Sequence, residues 1–216
     1  EWSEVDGLPL ISTKLSQRNG VQMLIKKWMD KVISFAILLI SFPVLVSIAA
    51  WIKYVSPQGP VFYRQERVGC DGRVFRIFKF RSMVPNAEKV TGPVMVDESG
   101  DSRYISGGGF LRAWSLDELP QFINVLMGDM SIVGPRPERP HFVEQFSRDI
   151  PFFKERHCVP VGITGWAQIN GRSVLTRRPE HKLKYDIYYI NRWSLLFDIK
   201  IMLKTVAVVF SRQESY

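Results

Sequence analysis

Asp117 and Glu118 lie side by side in Ser115-Leu116-Asp117-Glu118-Leu119-Pro120-Gln121, the densest concentration of chemically capable groups in the chain. Two readings of their local geometry stand. Ser115 followed three residues later by Glu118 matches a capping box, in which the acids start a helix and favour its dipole. In that register Pro120 is the fifth helical residue, where its missing N–H is costly. If the helix instead begins at Pro120, a favoured first position, both acids sit at its mouth with their side chains diverging. A divergent acid pair there can hold a metal ion and a phosphate.

Basic residues could complete such a site. Lys79 and Arg81 end an apparent strand in Phe78-Lys79-Phe80-Arg81-Ser82-Met83, and Arg112 lies five residues before Asp117. Arg136 is clamped between prolines in Gly134-Pro135-Arg136-Pro137. Two fixed backbones present its planar fork with little entropy to lose, which suits bidentate phosphate recognition. Each also has a plainer reading: an exposed proline-rich loop for Arg136, solvent-facing strand positions for Lys79 and Arg81.

Other chemistries find no support. His141, His157 and His181 lack metal-ligand spacing and read as surface or hydrogen-bonding residues. There is no GxSxG elbow and no GxxxxGK[ST] loop. Gly107-Gly108-Gly109 is not a phosphate-loop signature, and the acidic Asp97-Glu98-Ser99-Gly100-Asp101 reads as a solvated loop. Cys70 and Cys158 have no CxxC spacing, which argues for a reducing compartment and against zinc or a disulfide framework. A net charge of +8 and a pI near 9.6 imply anionic partners: acidic headgroups, phosphorylated ligands or, last, nucleic acid, whose reading motifs are missing.

The elements that must position these groups begin with an uncharged run from Val32 to Ile52, interrupted by Pro43. As a helix it reaches about 31 Å, enough for a bilayer core, but proline kinks or breaks a helix. Lys26, Lys27 and Lys31 precede the run and Lys53 follows it, whereas a single span normally leaves one flank poorer in basic residues. The expectation is a segment that dips into the membrane and returns to the same side. The run starts too late and is too long for a cleavable signal, and the absence of an initial Met reads as a processed or truncated product.

The 216 residues suffice for one domain with a sizeable core. Residues 1–20 read as a linker, 21–55 as an amphipathic lead-in with the re-entrant membrane helix, and 56–216 as a catalytic domain. Val61–Gln65 and Val74–Phe80 alternate as strands joined by an Asp71-Gly72 turn. Residues 85–109 read as a loop, Pro120–Met127 as a short helix stopped by Gly128, His141–Phe153 as a helix, and Ile163–Ile169 as a strand. A last helix from about Ser194 to Phe210 has Leu195, Ile199, Met202, Val206 and Val209 on one stripe. It could face a core or lie in the membrane interface, where Tyr185, Tyr188, Tyr189 and Trp193 would suit the headgroup layer.

Together these motifs resemble the bacterial sugar transferase family, the monotopic polyprenyl-phosphate phosphoglycosyl transferases, from about Ile25 to Phe210. The resemblance rests on their joint order. The proline-broken run comes first, then Gly59-Pro60-Val61-Phe62 with Arg64-Gln65-Glu66-Arg67-Val68-Gly69. Lys79-Phe80-Arg81-Ser82-Met83, the Ser115–Gln121 block, Gly128-Asp129-Met130-Ser131 and Gly134-Pro135-Arg136-Pro137 follow. The stretch from Gly162 to Arg172 is similar to that of long-form members, whose N-terminal membrane helices would precede a linker like residues 1–20.

The resemblance implies an α+β, membrane-associated monotopic domain with a proline-kinked re-entrant helix, interfacial amphipathic helices and a small β-hairpin. It implies transfer of a phosphosugar from a UDP-sugar to polyprenyl (undecaprenyl) phosphate, releasing UMP, at the cytoplasmic face of the bacterial inner membrane. This is the first membrane step of exopolysaccharide, capsule or O-antigen assembly. Asp117 matches the nucleophile of a two-step displacement and Glu118 completes the acidic dyad, which holds Mg²⁺. Lys79, Arg112 and Arg136 match positive positions around the phosphates, and Arg81, beside Lys79 at the strand's end, is a further phosphate-binding candidate. Membrane lipids are expected partners, nucleic acid is not, and a homodimer is allowed. The sugar leans toward galactose or glucose. One departure is local: Phe42 separates Ser41 from Pro43 where many members place Ser directly before the proline, leaving Ser41 to cap the carbonyl that Pro43 frees. Two rivals stand beside this reading. A non-enzymatic membrane module predicts no divalent dependence and no UMP release, and a one-step transferase predicts UMP only with acceptor present.

Overall fold

A computed structural model describes residues 4–5, 8–9, 20–85, 87, 103–171 and 178–211. The chain mixes helices with small two-stranded sheets, as expected of an α+β protein. Within the stretch read as a linker, two short strands, β1 (Glu4–Val5) and β2 (Leu8–Pro9), pair antiparallel. The run Asp97–Asp101 falls outside the described residues.

The first helix, α1, spans Gly20–Val55, 36 residues, and Pro43 does not break it. At 1.5 Å per residue it is about 54 Å long, well beyond one bilayer core. The expected lead-in and membrane run are therefore one element. It is long and apolar enough to cross a membrane. Its buried residues fall near the two ends: Lys26, Asp30 and Ser34, then Ile48 and Ile52. No residue from Phe35 to Ser47 is buried. The Ser41 hydroxyl donates to Ile37 O at 2.6 Å, and Ser47 to Pro43 O at 2.9 Å. Ser41 therefore does not cap Leu39 O, the carbonyl whose ordinary i+4 donor is lost at Pro43.

Strands β3 (Phe62–Val68) and β4 (Val74–Phe80) form the expected hairpin, with Phe62 opposite Phe80 and Val68 opposite Val74. The turn needs positive φ at Asp71 (55°) and Gly72 (75°), residue types that tolerate it. α2 (Gly108–Ala113) was not expected; it begins within the glycine triplet. A 3-10 turn, Leu116–Glu118, then leads into α3 (Gln121–Met127), which Gly128 ends at φ 91°.

β5 (Ser131–Val133) pairs parallel with β6 (Gly162–Thr164). This pairing is tight where it delivers Pro135 and Arg136. A Cβ on Gly162 would stand 2.1 Å from Gly134 N, and one on Gly165 2.2 Å from Gly134 O. β6 is shorter than expected because a 3-10 turn, Gln168–Asn170, occupies its far end. α4 (Pro140–Asp149) stops before a further 3-10 segment, Phe153–His157, in which His157 is buried and so is not a surface residue.

α5 (Pro179–Arg192) and α6 (Leu195–Ser211) close the fold. α6 presents Asp198 and Ile201 inward, both with 0 % exposure, so its buried stripe differs from the one expected. Leu196, Ile199, Leu203 and Val206 face outward. Of the aromatics before it, Tyr189 is buried and donates to Val133 O and Asp198 Oδ1, while Tyr185, Tyr188 and Trp193 are partly exposed and Trp166 stacks on Tyr188. The main core gathers Val125, Ile132, Val133, Val161, Leu183, Ile187 and Ile201. A second cluster joins Ile48 and Ile52 of α1 to Phe80, Ile105 and Leu111.

Candidate active site

The site forms where β4, the turn before α3 and the loop after β5 meet. Ser115 enters the turn at φ 54° and makes no cap with its side chain, so the capping box is not formed. The helix proper starts after Pro120, nearer the second of the two sequence readings, and both acids lie just outside it. Asp117 and Glu118 are nearly closed to solvent, 5 % and 6 % exposed.

Three of the expected residues meet directly. Lys79 Nζ donates to Glu118 Oε1 at 2.8 Å. Arg136 grips the same carboxylate with both terminal nitrogens, Nη2 to Oε1 at 2.5 Å and Nη1 to Oε2 at 3.1 Å. This fork-on-carboxylate geometry is the strong form of an ion pair. Burial pulls the Lys79 pKa down, and the charges of Glu118 and Asp117 offset only part of that. Burial acts on Arg136 in the same direction, but Glu118 outweighs it and raises its pKa, so the guanidinium stays charged. Asp117 thus sits within the field of two cations.

The other two expected basic residues are placed differently. Arg112 lies on α2, its guanidinium over the Tyr104 ring at 5.5 Å. Arg81 is 5 % exposed and donates to Ser56 O at 2.5 Å, just past the end of α1. Its Nη1 occupies the space that a side chain on Gly59 would need, 2.0 Å from that Cβ position. So enclosed, Arg81 ties the end of β4 to the residue that follows α1.

Positioning residues also emerge that spacing did not reveal. Asn124 of α3, 0 % exposed, accepts from Phe78 N at 2.9 Å and donates to Arg76 O at 2.8 Å. It fixes α3 against the strand that carries Lys79. Behind Arg136, Arg156 donates to Asp186 Oδ2 through Nε at 2.9 Å and Nη2 at 2.7 Å, and Lys182 pairs with Glu138. Lys182 and Arg156 hold the Glu138 carboxyl down to about 2 against the opposing effect of burial.

No group of three or more His, Cys, Asp or Glu side chains converges as a metal site among the described residues. An adjacent pair of hard carboxylates nevertheless suits Mg²⁺, which ordinarily takes one or two carboxylates and completes its shell with substrate phosphates and water. Paired cations beside buried carboxylates are suited to binding and cleaving a diphosphate.

The chain matches the family model for bacterial sugar transferases over residues 21–212. It is 44 % identical over 217 residues to the UDP-glucose:undecaprenyl-phosphate glucose-1-phosphate transferase of Escherichia coli K12, covering 99 % of this chain and 46 % of that protein. It is 43 % identical over 188 residues to the UDP-N-acetylgalactosamine-undecaprenyl-phosphate N-acetylgalactosaminephosphotransferase of Aeromonas hydrophila, covering 87 % of this chain and 44 % of the relative. Identity to the undecaprenyl-phosphate galactose phosphotransferase of Salmonella typhimurium is 34 % over 219 residues, covering 95 % and 44 %. The chain spans about half the length of these curated relatives. With the match running through both acids and the arginine that grips one of them, the chain belongs to the bacterial sugar transferase family.

Proposed function

We propose that this chain transfers a sugar-1-phosphate from a UDP-sugar to polyprenyl phosphate, giving a polyprenyl-diphosphate-sugar and UMP. The observation that carries the reading is the Lys79–Glu118–Arg136 cluster beside Asp117, its carboxylates buried and its cations partly exposed. Phosphoryl transfer depends on positioning and charge neutralisation, and these residues supply both.

In the first step an Asp117 carboxylate oxygen attacks the sugar-linked phosphorus. The bond to the bridging oxygen breaks, and its electron pair leaves with UMP. In the second, a phosphate oxygen of the polyprenyl acceptor attacks the same phosphorus and the Asp117 carboxylate is restored. Splitting the transfer avoids bringing two polyanions together at once. Arg136 and Lys79 offset charge on the diphosphate, while Glu118 holds both cations in register. Asp117 and Glu118 would hold Mg²⁺, which supplies further neutralisation of diphosphate charge.

Both ends of α1 are fastened to the same domain, through Lys26 to Asp198 and through Ile52 and Ser56 to the β4 side. That pattern supports a re-entrant anchor whose exposed middle, around Pro43, dips into the cytoplasmic leaflet of the bacterial inner membrane and returns. The outward apolar face of α6 would rest at the interface. The active site then lies at headgroup level, where a lipid phosphate is already held.

UMP release from a panel of UDP-sugars tests the reaction, with and without polyprenyl phosphate and with and without Mg²⁺. Divalent-dependent release with one or more sugars supports it. No release from any donor would exclude it in favour of a non-enzymatic module.

A further inference from the structure

Arg136 makes its bidentate contact from a loop whose main chain is held on all sides. Gly162 N donates to Pro135 O at 2.9 Å, Arg67 Nη1 to Pro137 O at 3.0 Å, and Val68 N to Glu138 O at 2.9 Å. The carbonyl of Arg136 itself accepts from Arg156 Nη2 at 2.8 Å. Four successive carbonyls are thus satisfied, two of them by arginine side chains reaching in from other elements. Arg156 is 1 % exposed, and its charge is met by Asp186, 2 % exposed, on α5.

Two prolines already restrict this loop, so a simple structural role would not need a buried charge on the Arg136 carbonyl. Burying an ion pair is costly unless its geometry is good and its remaining hydrogen bonds are used. Here the same Nη2 that meets Asp186 also meets Arg136 O, so placing one group places the other. The loop's position in turn sets where the Arg136 fork ends, and displacement of such a group by about 1 Å can cost on the order of a hundredfold in rate.

The geometry points to Arg156, oriented by Asp186, as a positioning residue for Arg136 in binding the donor's diphosphate. Resting on the reaction proposed above, it acts through Arg136 and touches no substrate. Arg156 reaches across from the segment after α4, and Asp186 from α5, so the Arg136 loop is set by parts of the chain remote from the Asp117 turn.

A double-mutant cycle on UDP affinity tests this. The full chain in detergent micelles with Mg²⁺ is titrated with UDP, and each variant's thermal midpoint is measured alongside. Arg156→Lys keeps the charge but ends short of the Nη2 position and loses the Nε contact that orients the group on Asp186, and should weaken UDP binding about tenfold. In an Arg136→Ala background the same change should cost less than about twofold. Asp186→Asn provides a second route to the same cycle should Arg156→Lys not fold. Equal losses in both backgrounds, or UDP affinity unchanged in Arg156→Lys, would overturn the inference. A wild-type chain that binds no UDP at all would instead overturn the proposed reaction.

Discussion

Lys26 of α1 donates to Asp198 of α6 at 2.6 Å, across 172 residues of chain, with both side chains buried. Tyr189 OH at 2.8 Å and Trp193 Nε1 at 3.1 Å also donate to Asp198. Asp30, one turn from Lys26, accepts from Ser131 at 2.6 Å, at the start of the strand that leads to Arg136. α1 and the site's supporting strand are thus joined by one buried polar network. Removing one member of such a pair strands the other. Asp198→Ala or Lys26→Ala should each lower stability by about 3–5 kcal/mol, read by denaturant titration in micelles. Lys26→Met with Asp198→Leu should recover part of that loss.

Neutralising Glu118 removes the group that both cations share. Glu118→Gln should lower kcat/KM about a hundredfold and, by leaving Lys79 and Arg136 without their shared carboxylate, lower the thermal midpoint as well. Glu118 opposes the downward shift of the Lys79 pKa, so its loss lets that pKa fall further. The alkaline limb of the pH–rate profile should therefore move to lower pH in Glu118→Gln. An unmoved limb would separate Lys79 from the reaction.

His157 gives a prediction for stability. Burial, reinforced by the neighbouring Arg156 charge, pushes its pKa down to about 4. Between that value and the ordinary 6.5 the unfolded chain binds a proton that the folded one does not, so stability falls as pH drops through this window. The loss should approach about 3 kcal/mol by pH 4. Unfolding titrations across this range should show the slope in wild type and lose it in His157→Gln.

A re-entrant α1 keeps both ends of the chain on one side of the membrane. Reporter tags placed before residue 1 and after residue 216 should both report from the cytoplasm. Tags on opposite sides would mean that α1 crosses the bilayer.

Much of the site was legible because its residues carry local signals. Proline brackets mark Arg136, and adjacent acids before Pro120 mark the turn. Hairpin alternation places Lys79 at a strand's end. What spacing could not show was enclosure. Arg81 resembles Lys79 in sequence, yet the absence of a side chain at Gly59 lets its guanidinium fold inward to Ser56 O. Asp198 lay off the apolar stripe drawn on α6, because only the fold brings Lys26 to it. Its being the one acid in a mostly apolar helix was the available hint. Arg156 and Asp186 carry no local pattern, since their partner is a backbone carbonyl. α2 was missed because its first residues are glycines, poor helix formers.

Covalent catalysis by Asp117 is tested most directly by the intact mass of the protein after incubation with UDP-glucose, or whichever UDP-sugar supports turnover, and Mg²⁺ without acceptor. A covalent intermediate predicts a hexose-phosphate adduct that maps to the peptide carrying Asp117, is absent in Asp117→Asn, and disappears when polyprenyl phosphate is added. UMP released only when acceptor is present, with no adduct at any time, or an Asp117→Asn variant that keeps its activity, would contradict it.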